Sequence, residues 1–295
     1  MKVFVTGGTG FIGSLVVEKL RNRGHQVCGL ARSDQAEQKL RAAGATVLRG
    51  TLYDLDKLKK GAAAADGVIH LGFLNDFAHY EEAVAMDLAA VKAMGSVLEG
   101  TNKPFVNTAG TLSLSGLGRI ATEQDHGPAQ APRVASEEAV IALAAKGVRA
   151  SVVRLAPCVH DVGRYGLVSF LLRFAAKNKV SAYVEEGANV WPAVHRQDAA
   201  ALFCRALTDA PAGTRLNAVA EEGNSMKKIA QIVGQNLQVP VKCVSAKEAP
   251  AYFGFFASSV SLDNPTSSAT TQTLLNWKPT QATLFADMNT FYAKQ

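Results

Sequence analysis

Lys2-Val3-Phe4-Val5-Thr6-Gly7-Gly8-Thr9-Gly10-Phe11-Ile12-Gly13 opens the chain, a short apolar strand that runs straight into glycines. Gly7 is placed to take the positive φ of a tight turn, Gly10 lets backbone approach a phosphate, and Gly13 lets the next helix lie against its strand. Phe11, Ile12, Leu15, Val16 and Leu20 mark that helix by their apolar stripe. Its N-terminus would offer free N–H groups and a positive dipole end to an anion. A flexible glycine loop in another kind of α/β protein is the bland alternative, and the strand before it and the helix after it argue against that. The stretch reads as a seat for the pyrophosphate of a dinucleotide.

The helix should stop near Gly24, and Gln26-Val27-Cys28-Gly29-Leu30 reads as a second parallel strand. An acidic residue after that strand would meet a ribose 2′-hydroxyl, yet Ala31-Arg32-Ser33 stand there. Arg32 offers a guanidinium fork and Ser33 a hydroxyl to a 2′-phosphate, which points to NADP, with NAD as the second option. The competing reading makes Arg32 a solvated loop residue and Asp34 the cap of the next helix.

At 295 residues the chain can bury a large core. Its net charge of +6 comes from scattered basic residues, with Lys57, Lys59 and Lys60 a rare cluster and no interleaved aromatics, so nucleic-acid binding is not expected. Neither a charged, apolar leader nor a bilayer-length apolar run stands out, which leads us to expect a cytoplasmic protein without a membrane partner. Cys28, Cys158, Cys204 and Cys243 are far apart among apolar neighbours, read as reduced core thiols, and no metal site is expected.

Strand and helix alternate through Gln35–Ala43, Thr46–Arg49, a short helix after Asp54, Gly67–Leu71, Glu81–Leu98, Phe105–Thr108, Ala131–Ala145 and Ala150–Leu155. This predicts an α/β fold, a doubly wound parallel Rossmann sheet covered on both faces, with ligand loops on one rim. The regular alternation breaks after Ala156. We therefore expect a dinucleotide-binding core over 1–155 and a small, mainly substrate-side C-terminal lobe over 156–295, some of whose segments return to the core. Helices are expected at Val168–Lys177, Arg196–Leu207 and Met226–Leu237, and strands at Arg215–Val219 and Val241–Val244.

Together these segments resemble the extended, atypical short-chain dehydrogenase/reductase superfamily, which includes NAD-dependent epimerases and dehydratases. Gly50-Thr51-Leu52-Tyr53-Asp54 is similar to the family's loop beside adenine, with Thr51 where Asp is usual, and Ile69-His70-Leu71-Gly72 to the strand under the cofactor. Val194-His195-Arg196-Gln197-Asp198 resembles its His-Val-x-Asp segment, and Leu274-Leu275-Asn276-Trp277-Lys278-Pro279 its Leu-Gly-Trp-x-Pro ending, where Asn can replace Gly in the left-handed conformation. The resemblance implies a dinucleotide held by Gly7, Gly10, Phe11, Ile12, Gly13, Arg32, Ser33, Leu71, Gly72 and Thr108. It also implies a small-molecule substrate of unknown identity, and it is compatible with a homodimer through Glu81–Leu98 and Ala131–Ala145, where Ala83, Ala89, Ala90 and Ala93 would allow close contact.

The departure lies in the chemistry. Family oxidoreductases carry Tyr-x-x-x-Lys on the helix after the fifth strand, the Lys lowering the Tyr pKa for proton transfer. Here Arg133 falls at the Tyr position and Glu137 at the Lys position, and Gly110 falls where a hydroxyl donor is expected. Arg stays charged and donates no proton, though it can stabilise an oxyanion. Replacement candidates are Thr111, Ser113, Arg133, His160 and Tyr165, the last with Arg164 adjacent. His195 is read as structural beside Asp198; Tyr183 lies on the expected substrate wall, with Trp191 and Phe73 read as packing. Phe253, Phe255 and Phe256 would line the second lobe, and Asp263, Ser267 and Ser268 would cap a helix. Two functions follow: an NADP-preferring oxidoreductase or epimerase-like enzyme with a non-standard site, or a non-catalytic NADP(H) sensor.

Overall fold

Val3, Phe4 and Val5 are all buried, so the first strand, β1 (Lys2–Thr6), is covered on both faces, as an inner strand of a parallel sheet must be. The computed structural model describes residues 1–74 and 79–292. Its first half runs α1 (Gly13–Asn22), β2 (Gln26–Ala31), α2 (Asp34–Ala42), β3 (Thr46–Arg49), α3 (Leu55–Ala63), β4 (Gly67–His70), α4 (Tyr80–Ser96), β5 (Pro104–Gly110), α5 (Val134–Ala142) and β6 (Arg149–Leu155). Then come β7 (Cys158–Asp161), β8 (Arg164–Tyr165), α6 (Val168–Asn178), β9 (Ser181–Val184), β10 (Val190–His195), α7 (Arg196–Asp209), β11 (Thr214–Ala218), β12 (Glu221–Ser225), α8 (Met226–Leu237) and β13 (Val241–Val244). Four short helices finish the chain: α9 (Ala249–Phe253), α10 (Ala257–Val260), α11 (Ala269–Leu275) and α12 (Leu284–Tyr292).

Seven parallel strands form the central sheet in the order β11-β6-β5-β4-β1-β2-β3. The order reverses between β1 and β4, and the crevice at the carboxyl ends of those strands is where this class of sheet binds ligands. One face carries a core of Val3, Val5, Val16, Leu20, Ile69, Phe203 and Trp277 from β1, β4, α1, α7 and the α11 end; the other joins Phe4, Leu58, Val68, Met94, Phe105 and Val140 under α3, α4 and α5. A separate apolar cluster around Tyr165, Trp191, Ile229, Phe253 and Met288 holds the second lobe. Asn276 closes α11 at φ 45° and ψ 42°, the left-handed turn expected from its sequence position.

The structure corrects several expectations. The helix expected from Ala131 begins only at Val134, because Arg133 sits at φ 67° behind Pro132. The second lobe contains a four-stranded sheet, β12-β10-β7-β8, that the chain does not announce: β8 has two residues, β10 contains Pro192, and β12 reads Glu-Glu-Gly-Asn-Ser with no apolar alternation. Ala83, Ala90 and Ala93 are buried within this chain and Ala89 is half-buried. Cys158 and Cys204 are buried, but Cys243 on the two-stranded β13–β9 sheet is exposed; all four thiols are free. Ser268 turns its hydroxyl inward to Val219 O, leaving Ser267 Oγ to accept from Ala269 N, while Asp263 accepts from Val190 N. Among the described residues no helix is long and apolar enough to cross a membrane.

Candidate active site

The turn after β1 is built around glycine. Gly7 has φ 69°, and a Cβ there would lie 2.7 Å from the backbone of Leu71 and Gly72, which pack against it from the end of β4. Gly10 N donates to Gly7 O at 2.9 Å, and Leu71 N and Gly72 N donate to Thr6 O and Thr6 Oγ1 at 3.2 and 3.0 Å. Ile12 is the N-cap of α1; no side chain caps this end and the first turn holds no acid. The helix end is thus free to receive an anion, which fits the diphosphate of a dinucleotide. Two cations flank it: the guanidinium groups of Arg164 and Arg196 lie 4.7 and 4.9 Å from the Phe11 ring centre, and Arg196 Nη1 donates to Phe11 O.

At the end of β2, Arg32 is exposed and joins no ion pair among the described residues. Ser33, not Asp34, caps α2, its Oγ accepting from Ala36 N at 3.2 Å. Asp34 and Glu37 pair instead with Arg49. In the loop after β3, Thr51 N and Oγ1 both donate to Asp54 Oδ2, whose pKa the Thr51 bonds hold below the ordinary carboxylate range.

A buried polar chain crosses the carboxyl ends of β1, β4 and β5. Thr6 Oγ1 lies 2.6 Å from His70 Nδ1, and His70 Nε2 lies 3.4 Å from Asp87 Oδ1 on α4. His70 Nε2 faces this carboxylate at ion-pair distance without a hydrogen bond, and Thr6 Oγ1 also accepts from Gly72 N. Arg133 closes the chain. Its Nη2 donates to Thr108 O at 2.6 Å, lies 3.4 Å from Asp87 Oδ1, and its guanidinium stands 4.3 Å over the Phe73 ring. Burial pushes the Asp87 carboxyl up, but Arg133, His70 and Ser136 outweigh it and hold the group ionised, below its ordinary value. A non-glycine residue in the left-handed region costs about 1–3 kcal/mol and signals a constrained site; at Arg133 it aims the side chain into the strand-end crevice.

Residues 3–219 match the NAD dependent epimerase/dehydratase family. The chain belongs to this family. It is 49% identical over 289 residues to an uncharacterized protein of Schizosaccharomyces pombe, covering 98% of both chains. It is 42% identical to an uncharacterized protein of Saccharomyces cerevisiae over 297 residues, covering 99% of both. The fold is also that of DesIV, a dTDP-glucose 4,6-dehydratase from Streptomyces venezuelae solved with NAD bound, with TM-score 0.78 at 16% identity, covering 100% of this chain and 98% of that one.

Within this epimerase/dehydratase-family frame, the hydroxyl candidates named from sequence are all engaged. Thr108 Oγ1 donates to His70 O, Thr111 Oγ1 to Asn264 Oδ1, and Ser113 Oγ to Gly110 O, at 2.7, 2.8 and 3.0 Å. His160 and Tyr165 lie inside the second lobe rather than on the rim: both are buried, His160 Nδ1 is 2.7 Å from Asp287 Oδ2, and Tyr165 Oη accepts from Gly163 N. Burial lowers the His160 pKa although Asp287 opposes it, so its ring is neutral. Arg164 cannot assist Tyr165, because successive residues of a strand point to opposite faces; Arg164 reaches Phe11 while Tyr165 turns inward. Trp191 and Phe253 are buried in the lobe core, Phe255 is exposed, and Tyr183 packs under Lys227.

His195 caps α7, its Nδ1 accepting from Gln197 N, and its partners are Asp161 and Asp287, not Asp198. Asp198 instead accepts from Thr280 N and Gln281 N. Asp161, His195 and Asp287 bring ligand atoms within 4.8 Å of one another. The Gln197 bond uses the one lone pair of a neutral imidazole, so His195 Nε2 is a donor and not a ligand. Glu137 is buried in α5 against Arg154 and Arg215.

Sequence reasoning passed over Asp87. The signal was present: Ala83, Asp87, Ala90, Val91 and Met94 share the buried face of α4, and an acid in that register calls for a partner.

Proposed function

We propose that this family member is an NADP(H)-preferring oxidoreductase in which Arg133 stands where the family's Tyr would be and Glu137 where its Lys would be. The observation that carries the cofactor choice is the pair Arg32–Ser33 after β2: an exposed guanidinium that joins no ion pair among the described residues, beside a hydroxyl that still has its proton to give. Gly7, Gly10 and Gly13 with the open end of α1 would hold the diphosphate. Leu71 and Gly72, tied to Thr6, and Thr108, tied to His70, would floor the nicotinamide end. When bound, that ring exchanges a hydride with the substrate; Arg133 would orient and charge-stabilise the substrate oxygen.

A non-catalytic NADP(H) sensor is the second reading, favoured by the engagement of Thr108, Thr111 and Ser113. The two part on turnover. Calorimetry and the fluorescence of the reduced cofactor are expected to show NADPH binding more tightly than NADH. Arg32→Ala should weaken NADPH by roughly 10–100-fold, the worth of a charge-assisted contact, with NADH little changed. Equal losses for both would remove the NADP preference. NADPH consumption with any carbonyl acceptor selects the enzyme; binding without consumption selects the sensor.

A further inference from the structure

We infer that the acceptor reduced at this site is a conjugated carbonyl compound, an enone or quinone, whose product oxygen is received as an enolate or phenolate by Arg133. The inference rests on the oxidoreductase reading above and adds its substrate class.

Two independent observations carry it. The group presented to the crevice is a cation that cannot give up a proton: Arg133 is fixed by Thr108 O, by Asp87 and by the Phe73 ring, and 17% of its side chain is exposed. The hydroxyls that the sequence offers, on Thr108, Thr111 and Ser113, donate to His70 O, Asn264 Oδ1 and Gly110 O, and buried Ser136, one turn on from Arg133, faces Asp87. Reduction of a saturated ketone ends on an alkoxide, about as basic as hydroxide, and needs an acid in the transition state, worth ~10²–10⁴ in rate. A conjugated acceptor does not. It gains a hydride at carbon from the dihydronicotinamide, which is oxidised, and its π electrons move onto oxygen. The resulting anion, with a conjugate-acid pKa near ~10 for a phenol, is stable enough to wait for a proton from water. A fixed guanidinium serves that charge, and the Phe73 ring beneath it holds it in place.

Tyr80, at the start of α4, is the competing acid. Its pKa is raised, by burial first and by Asp87, with Arg133 opposing. It therefore belongs in the test.

The protein's response to 4-nitrophenol, whose ionised form is yellow, reads Arg133 without any cofactor. Bound nitrophenol should titrate about one to three pH units below free nitrophenol, the effect of a cation within a few ångströms. Arg133→Gln should abolish that shift and Arg133→Lys should keep most of it. With NADPH, a simple quinone and a cyclic enone should be reduced at least roughly 100-fold faster than the matching saturated ketone, and Tyr80→Phe should leave that preference in place. An absent shift, a shift that survives Arg133→Gln, equal rates on saturated and conjugated acceptors, no consumption of either, or collapse of conjugated-acceptor turnover in Tyr80→Phe each overturns the inference. Failure of NADPH to bind defeats the oxidoreductase reading instead, and the nitrophenol titration still reports on Arg133.

Discussion

Glu137→Lys is expected to yield no folded protein, and Glu137→Gln one that melts about 10 °C lower. Glu137 sits on the buried face of α5 with its side chain 3% exposed, and Arg154 on β6 is fully buried beneath it. Arg154 Nε donates to both Glu137 oxygens at 3.1 Å, Arg215 Nε donates to Oε1 at 2.8 Å, and Arg215 Nη2 reaches Glu138 at 2.7 Å. Two acids thus answer two guanidinium groups. Removing one partner of a buried pair costs about 3–5 kcal/mol, because the other charge stays behind in a medium that cannot solvate it. That is a large part of the roughly 5–15 kcal/mol that holds a domain together, and at ~2–4 °C per kcal/mol it sets the expected drop for the amide. A lysine adds a third cation where the acid was, and the whole margin goes. Soluble yield and thermal unfolding by circular dichroism decide it; wild-type melting of Glu137→Lys would mean the cluster contributes nothing to stability.

The same geometry explains why Tyr and Lys cannot be restored by two substitutions. The position where the family resemblance puts a Lys is here part of the packing between α5, β6 and β11. Arg133→Tyr combined with Glu137→Lys is expected to fail in folding before activity can be asked about.

The dinucleotide half of the molecule was legible because its signals are local. Glycines with positive φ, an apolar stripe of period 3.6 and buried four- to seven-residue strands report their conformation from neighbours in sequence, and β2, β3, β4 and β6 fall within a residue of their expected places. Partners far apart in sequence were not legible. His195 was assigned to Asp198, three residues away, but Asp198 turns to Thr280 and Gln281, and Asp161 and Asp287 arrive from β7 and α12. His160, a replacement candidate by its sequence position, lies on a further strand pair, β7 and β8, that folds it inward against Asp287. The family resemblance points to Arg133 at the Tyr position, whereas what it touches, Asp87 and Phe73, follows from a left-handed backbone that no propensity predicts for arginine.

Gly13→Ala is expected to lose NADPH binding by roughly 100-fold or more, the worth of two charge-assisted N–H contacts to phosphate. A Cβ on Gly13 would stand 2.0 Å from Gly7 O, 2.8 Å from Gly7 C and 3.0 Å from Gly8 Cα. All three are backbone atoms, so no side chain can swing aside. Gly7 cannot yield either, since the backbone of Leu71 and Gly72 fills the space where its Cβ would be. The start of α1 must therefore lift from the turn, opening the Gly10 N to Gly7 O bond and moving the helix end proposed to receive the diphosphate. Overpacking of this kind costs about 1–3 kcal/mol, which the fold survives, so the loss should fall on the cofactor while the melting temperature moves by only a few degrees. Gly10→Ala is the graded control: its Cβ meets only Gly7 O, at 3.1 Å, and it should bind NADPH more weakly than wild type but better than Gly13→Ala. Calorimetry on the two variants, with melting curves alongside, gives the order. If Gly13→Ala binds NADPH as the wild type does, the turn after β1 is not where the diphosphate sits.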